Sequence, residues 1–463
     1  MITGSNFSTN PAEDIVKLNE EVAEVVSATA TQLTIIVPVS AYSGKISVTV
    51  NGQTATSSDI FTVPGFSITG FSPSLIGIGY PLMITGTSFS ADATTNKVTI
   101  NGVPATVSFA TNNLLTAIVP MGATTGQIGM TVKGPYTTSL NNIVVKNLTV
   151  TTIASYGNTT SLPVWAIATD GNGNYYFGDA DSGRVRKLSA SGVISTVAGT
   201  GVLGNADGPV ATATLGTVYG VALDSHGNIF VTTLGFNTIR KISTGGVVST
   251  FAGDPNGNSG SADGAGTTAR FSSPLGIVID KNDNVFITDA GSNKIRKITA
   301  AGVVTTLAGS GAAGSADGTG TSASFNGAWG IGIDASDNLY VCDVQNYKIR
   351  KVTPAGVVTT FAGDGTIGAL DGPALSAKFN GAIGIVADQH GNFYVTDGGS
   401  NRIRMISSDG QVYTLAGNGI NSSTDGSGNF ASFSSPLGIT IDPSGVMAVV
   451  DRGSQKIRKI VVQ

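Results

Sequence analysis

Eight side chains after residue 147 have the types and placing to hold a ligand: Trp165, Tyr219, Trp329, Phe236, Gln345, Tyr347, Asp181 and Arg452. Trp165 and Trp329 are the only tryptophans, and with Tyr219 they fill one position of a recurring unit whose other copies carry Leu275, Ile383 and Leu437. Aromatic faces set among amide and charged groups suit sugar rings, whose C–H faces stack on them while the hydroxyls take polar partners. The competing use of the same residues is packing, as a channel plug or as anchors under long loops.

Hydrolytic and metal chemistry find little to work with. The only two histidines, His226 and His390, both lie in D-x-H-G-N turns, where a solvated role is expected rather than ligation. No glutamate follows residue 147, and neither G-x-S-x-G nor H-E-x-x-H occurs. No catalytic residue, metal site or cofactor is expected.

The elements that must position these side chains follow from a repeat. Aspartates at Asp170, Asp224, Asp280, Asp334, Asp388 and Asp442 recur at steps of 54, 56, 54, 54 and 54 residues. In Gly276–Gly309, GIVIDKNDNVFITDAGSNKIRKITAAGVVTTLAG, four β-rich runs, here strands a to d, are separated by turn residues. A period near 50 with four strands per unit predicts a six-bladed β-propeller, with strand a lining the channel. The small residue in strand a (Ala166, Gly220, Gly276, Gly330, Gly384, Gly438) answers to crowding at the axis. The eight candidates then fall on the face that bears the long d–a loops and the b–c loops.

A second aspartate (Asp179, Asp289, Asp343, Asp397, Asp451) stands seven residues before an arginine present in every unit, from Arg186 to Arg458, which predicts a repeated structural ion pair. Unit two has Thr233 in the aspartate's place, so Arg240 is expected to be free. Each d–a loop carries an Asp-Gly turn and an apolar plug such as Phe271; calcium is a weak alternative for these aspartates because no loop clusters carboxylates. Unit six ends at strand c. Thr149–Ser155, TVTTIAS, matches the fourth strand VVTTLAG and is expected to close the last blade from upstream.

Residues 1–64 and 65–147 are a separate duplication at an offset of 82, pairing Ile2-Thr3-Gly4 with Ile84-Thr85-Gly86 and Leu33–Pro38 with Leu115–Pro120. Alternating strands and the Asn51-Gly52 and Asn101-Gly102 turns predict small sandwiches. The turn Val16–Glu20 replaces the second copy's Val98–Gly102, so its hairpin is expected to differ. The second copy also has Phe66–Met83 ahead of its ITG strand where the first has only Met1, so the first sandwich is expected to be truncated, its export signal missing as well. The join to the propeller at 148 is expected to be stiff.

These motifs carry resemblances. D-x-x-G/D-N followed by apolar residues, x-D and I-R-K-I over residues 165–463 resembles the NHL repeat, and I-T-G-x-x-F with V-x-x-N-G resembles the IPT/TIG domain, an immunoglobulin-like fold. The combination is similar to cell-surface proteins of Bacteroidetes-type bacteria, which implies an extracellular or surface-bound, non-catalytic binding protein whose partner is a polysaccharide or oligosaccharide. The same resemblance leaves two alternatives, a metal-dependent lyase or hydrolase at the channel mouth and a protein-interaction scaffold.

The fold class expected is therefore all-β: two Ig-like sandwiches, 1–64 and 65–147, and a propeller over 148–463. Twenty-five basic against 29 acidic residues give a net charge of −4, which argues against nucleic acid. No apolar run is long enough for a transmembrane segment. One cysteine, Cys342, excludes a disulfide framework and is expected to be a buried small apolar residue. A monomer is expected.

Overall fold

A computed structural model describes residues 1–38, 41–63, 65–132, 135–156 and 164–462; the sandwich boundary at residue 64 lies outside them. Its regular elements are strands and single-turn 3-10 helices, so the all-β expectation holds. The chain forms two compact units, Met1–Lys146 and Asn147–Gln463.

In the first unit, residues 2–61 form a six-stranded sheet and residues 67–146 an eight-stranded one. Their shared core positions are buried alike: Val16 and Val98, Leu18 and Ile100, Leu33 and Leu115. The eight-stranded sheet gains its two edge strands, Ser67–Ser72 and Leu75–Gly77, from the segment without a counterpart in the first copy. The Val16–Glu20 hairpin differs less than expected. Leu18 faces Glu21 as Ile100 faces Val103, because Asn19 takes the positive φ (53°) that Asn101 takes in its own turn.

The second unit is the propeller. Its inner strands Ile167–Thr169, Thr217–Leu223, Pro274–Ile279, Ala328–Ile333, Ala382–Ala387 and Pro436–Ile441 touch in sequence, and the last returns to the first. Each heads an antiparallel sheet, as in blade three, where Pro274–Ile279, Val285–Asp289, Lys294–Ile298 and Val303–Ala308 follow outward. The loop arriving from the preceding blade adds a two-residue outer strand, Gly264–Ala265, against Val303–Val304 before diving to the axis. Such crossings link blades two to six, each tied to the loop of its predecessor.

Closure follows the expected route. Leu148–Ser155 pairs antiparallel with Lys456–Val462, Leu148 opposite Val462 and Ser155 opposite Lys456. The ends of the propeller chain thereby satisfy each other's backbone groups, and blade six keeps no open strand c.

The repeated arginine is the clamp of each blade. Arg296 Nη1 donates to Asp289 Oδ2 and to the Arg270 carbonyl, both at 3.0 Å, while Nη2 donates to Asp263 Oδ1 at 2.7 Å and to the Ala262 carbonyl at 3.0 Å. Its guanidinium also lies 5.3 Å from the centre of the Phe271 ring. One buried side chain thus joins strand b, the Asp-Gly turn and the apolar plug. The loop aspartates Asp207, Asp263, Asp317, Asp371 and Asp425 all pair with the clamp arginines. Burial pulls the Asp263 carboxyl upward, but bonds from Thr306 and Arg296 outweigh it and hold the group below the usual carboxylate range.

Arg240 corrects the sequence reading. It is not free: Nη1 donates to Asn205 Oδ1 at 2.8 Å and to the Thr214 carbonyl, and Nη2 donates to Asp207 Oδ1 at 2.6 Å and to the Ala206 carbonyl. The Asn205 amide oxygen, on the loop, stands in for the missing strand b carboxylate and also accepts from Thr238. Blade one is the exception. Arg186 reaches only Asp179 and Thr196 among the described residues and stays 27% exposed.

Candidate functional site

The three aromatic departures from the repeat meet on the propeller axis. Each stands near the start of its inner strand, before a small residue that lets six backbones converge. At Gly330 a methyl group would collide with the Ile383 carbonyl of the next blade, so no other residue fits there. Hydroxyls of strand b set the height of these starts. Thr288 donates to the Trp329 carbonyl at 2.6 Å and accepts from Gly276 N–H at 2.8 Å; Thr232 ties Leu275 to Gly220 in the same manner. In blade four Cys342 takes that place, fully buried as expected, and burial pushes its thiol up.

Trp165 and Tyr219 stack with ring centres 4.7 Å apart at 17°, and Trp165 meets Trp329 edge to face at 5.7 Å and 72°. All three are half-buried. The two tryptophans come from opposite blades, yet they do not stand apart as walls of a cleft. They close on each other over the channel, because a six-bladed ring is narrow enough for two indoles to bridge. The Trp165 indole Nε1 is buried there without a hydrogen-bond partner. A cavity of about 340 Å³ runs along the inner strands, lined by backbone and by apolar side chains apart from the hydroxyls of Thr169 and Thr440 and the groups at the aromatic end.

Two charges complete the mouth. The Arg452 guanidinium lies 4.6 Å from the centre of the Trp165 ring. Burial pushes the Tyr219 phenol above its usual range, with Arg452 acting against the shift and Asp181 with it; the turn Ala180–Ser182 that carries Asp181 packs against the strand that carries Tyr219. Arg452 and Asp181 are exposed and form no ion pair with each other.

Five of the eight predicted residues are thus brought together: Trp165, Tyr219, Trp329, Asp181 and Arg452. The other three sit in the b–c loops without ring contact to that cluster among the described residues. The Phe236 ring lies over Gly216 and beside Gly257, and the Gln345 side chain borders Gly327. Tyr347 is held at φ 53°, in the left-handed region where Asn237, Asn293 and Asn401 stand in other blades.

Those asparagines latch blade to blade, as when Asn237 Nδ2 donates to the Gly257 carbonyl and its Oδ1 accepts from Ser273 N–H. Tyr347→Asn would offer the same bonds to Gly365 and Gly381, the corresponding positions. It should stabilise the propeller by about 1 kcal/mol through relief of left-handed strain, read as an upward shift in the urea midpoint. An unchanged or lower midpoint would contradict this reading of the strain.

The residues that sequence reasoning missed are the hydroxyl relay of Thr232, Thr288 and Thr396 and the stand-in Asn205. A signal existed in both: the recurrence of threonine just before the strand b aspartate position, and Asn205 in Asn-Ala-Asp-Gly where the other loops have Ser261, Ser315, Ala369 and Ser423.

On the opposite face, Asp224, His226 and Asp283 come close enough to share one cation. The existing bonds account for all three. Asp283 accepts from Ser225 N–H and Oγ and lies 3.2 Å from His226 Nδ1, while Asp224 holds its own turn through His226 and Asn228. His226 is 73% exposed, as a solvated turn residue should be.

The IPT/TIG domain family matches residues 1–63 and 67–152. A protein of unknown function from Bacteroides thetaiotaomicron superposes with a TM-score of 0.53 at 20% identity, covering 86% of this chain and 98% of that one. An auxiliary nutrient binding protein from the same organism does so with 0.52 at 19%, over 85% and 97%. At this identity the likeness establishes the shared fold. NHL repeat-containing protein 2 of Bos taurus is 32% identical over 127 residues, 26% of this chain and 17% of that protein. The chain spans less than a fifth of the length of the curated relatives named or matched alongside it.

Proposed function

We propose that this chain is a non-catalytic binding protein that takes a saccharide at the aromatic mouth of the propeller, outside the cell or on its surface. The carrying observation is a break in the repeat. Three of six equivalent positions become aromatic, they gather at one point, and two uncommitted charges gather with them. Structural need alone would favour the Leu and Ile found in the other three blades. With one Trp165 face covered by Tyr219 and the Arg452 guanidinium also close over the ring, Trp329 and Tyr219 supply the stacking surface and Arg452 and Asp181 the polar contacts.

The fold of a Bacteroides auxiliary nutrient binding protein supports the same direction. The reading divides the chain into sandwich modules at 1–64 and 65–147 and a binding propeller at 148–463. Its test is retention of the protein in affinity gels cast with a panel of polysaccharides. Trp329→Ala and Trp165→Ala should each weaken retention about tenfold or more, roughly 1.4 kcal/mol. Retention by no polysaccharide, or retention indifferent to both substitutions, would remove the mouth as a saccharide site.

A further inference from the structure

We infer that the mouth selects an acidic saccharide, one bearing carboxylate or sulfate groups, and that Arg452 is the selecting residue. The inference rests on the saccharide reading and adds the charge of the ligand to it.

Arg452 is the only charged residue at its place in the repeat, directly after strand b, where the other blades have Ala180, Leu234, Ala290, Val344 and Gly398. The arginines of the clamp are spent: Arg240, Arg296, Arg350, Arg404 and Arg458 are buried and bonded to aspartates and carbonyls. Arg452 is the reverse. Its side chain is exposed, and among the described residues it makes no hydrogen bond and no ion pair.

What holds it is the Trp165 ring beneath its guanidinium. Contact with the ring leaves the guanidinium N–H groups without a protein partner among the described residues, and the ring limits the rotamers the side chain would otherwise explore. A planar fork of donors, oriented and unspent, is the recognition element for a carboxylate or sulfate, to which it can donate two parallel bonds. Beside it, Tyr219 and Trp329 offer surface for the sugar ring that carries the anion. Asp181 shares the mouth without pairing with Arg452, so it opposes an anion weakly and sharpens the requirement that the charge sit over the arginine.

The test uses the full chain in calorimetric titrations at low and moderate salt, with oligogalacturonide, sulfated dextran oligomer and neutral dextran oligomer of matched length. An acidic oligomer should bind at least tenfold more tightly than the neutral one, and which of the two acidic probes prevails identifies carboxylate or sulfate as the source. Arg452→Gln should erase that preference. Arg452→Lys should restore only part of it, since a point charge lacks the fork and the stack. Asp181→Asn should tighten acidic binding two- to fivefold at low salt by removing a like charge. Lys241→Gln, a cation remote from the mouth, should change nothing.

Neutral and acidic oligomers bound alike, with Arg452→Gln unaffected, would overturn the inference and leave the saccharide reading standing. Equal losses in Arg452→Gln and Lys241→Gln would reduce the effect to general charge attraction and overturn it as well. If no oligomer binds although the affinity gels retain the protein, the inference fails and the saccharide reading stands; if the gels retain nothing either, both fail.

Discussion

Arg350→Met should lower the stability of the propeller by about 3–5 kcal/mol, the largest loss expected from a single side chain here. Arg350 and Asp343 are both fully buried and 3.0 Å apart; Arg350 also binds Asp317 at 2.7 Å and the Ser324 and Ala316 carbonyls, and lies over Phe325. Removing it strands a carboxylate in the interior and frees the loop that ties blade three to blade four. Burial already pushes Asp343 above the usual carboxylate range, against bonds from Asn346, Asn326 and Arg350. Without the arginine that rise grows. The folded variant then favours the protonated acid, so its deficit should shrink as pH falls from 7 toward 5, the sign required when the folded pKa exceeds the unfolded one.

Arg186→Met provides the contrast. That guanidinium is partly exposed and lacks the loop aspartate, so although Asp179 is left unpaired the loss should be smaller, about 1–2 kcal/mol. Urea unfolding of the two variants decides the matter. Equal losses would mean that burial and the loop bonds contribute nothing beyond the simple pair.

The second large effect belongs to closure. Val150→Asp should cost more than about 3 kcal/mol, because the position is fully buried opposite Ile460 and would place an unpaired carboxylate in the last blade. The neighbouring Thr151 is exposed on the same strand, so Thr151→Asp should be close to neutral. The alternation between the two tests the strand register directly. Thr152 adds a second hold, its N–H and hydroxyl bonding the Asp425 carboxylate at 3.0 and 2.9 Å, so loosening this strand also loosens the loop that enters blade six. Limited proteolysis should show Val150→Asp cut in blade six before any other blade. A Val150→Asp protein as stable as the parent would place closure elsewhere.

Much of the fold was legible because a repeat states the same local problem six times. Strand alternation, the turn aspartates and the seven-residue spacing from Asp289 to Arg296 each follow from contacts inside one blade, and contacts at short range leave periodic marks. The closing strand was legible for the same reason, as a fourth strand displaced to the front of the propeller chain.

What the residues alone left open was which side chains meet across the boundary between repeats. Arg240 looked unpartnered because its substitute acceptor, Asn205, lies on a loop 35 residues away whose path to the arginine exists only once blade two is packed. Whether the tryptophans would hold a ligand or plug the channel stayed open because their distance depends on the width of the ring, which no local pattern encodes. Sequence determined the blade, since hydrogen-bonded pairing and burial act between near neighbours; tertiary structure decided the mouth, since convergence on an axis brings together residues that no span of chain connects.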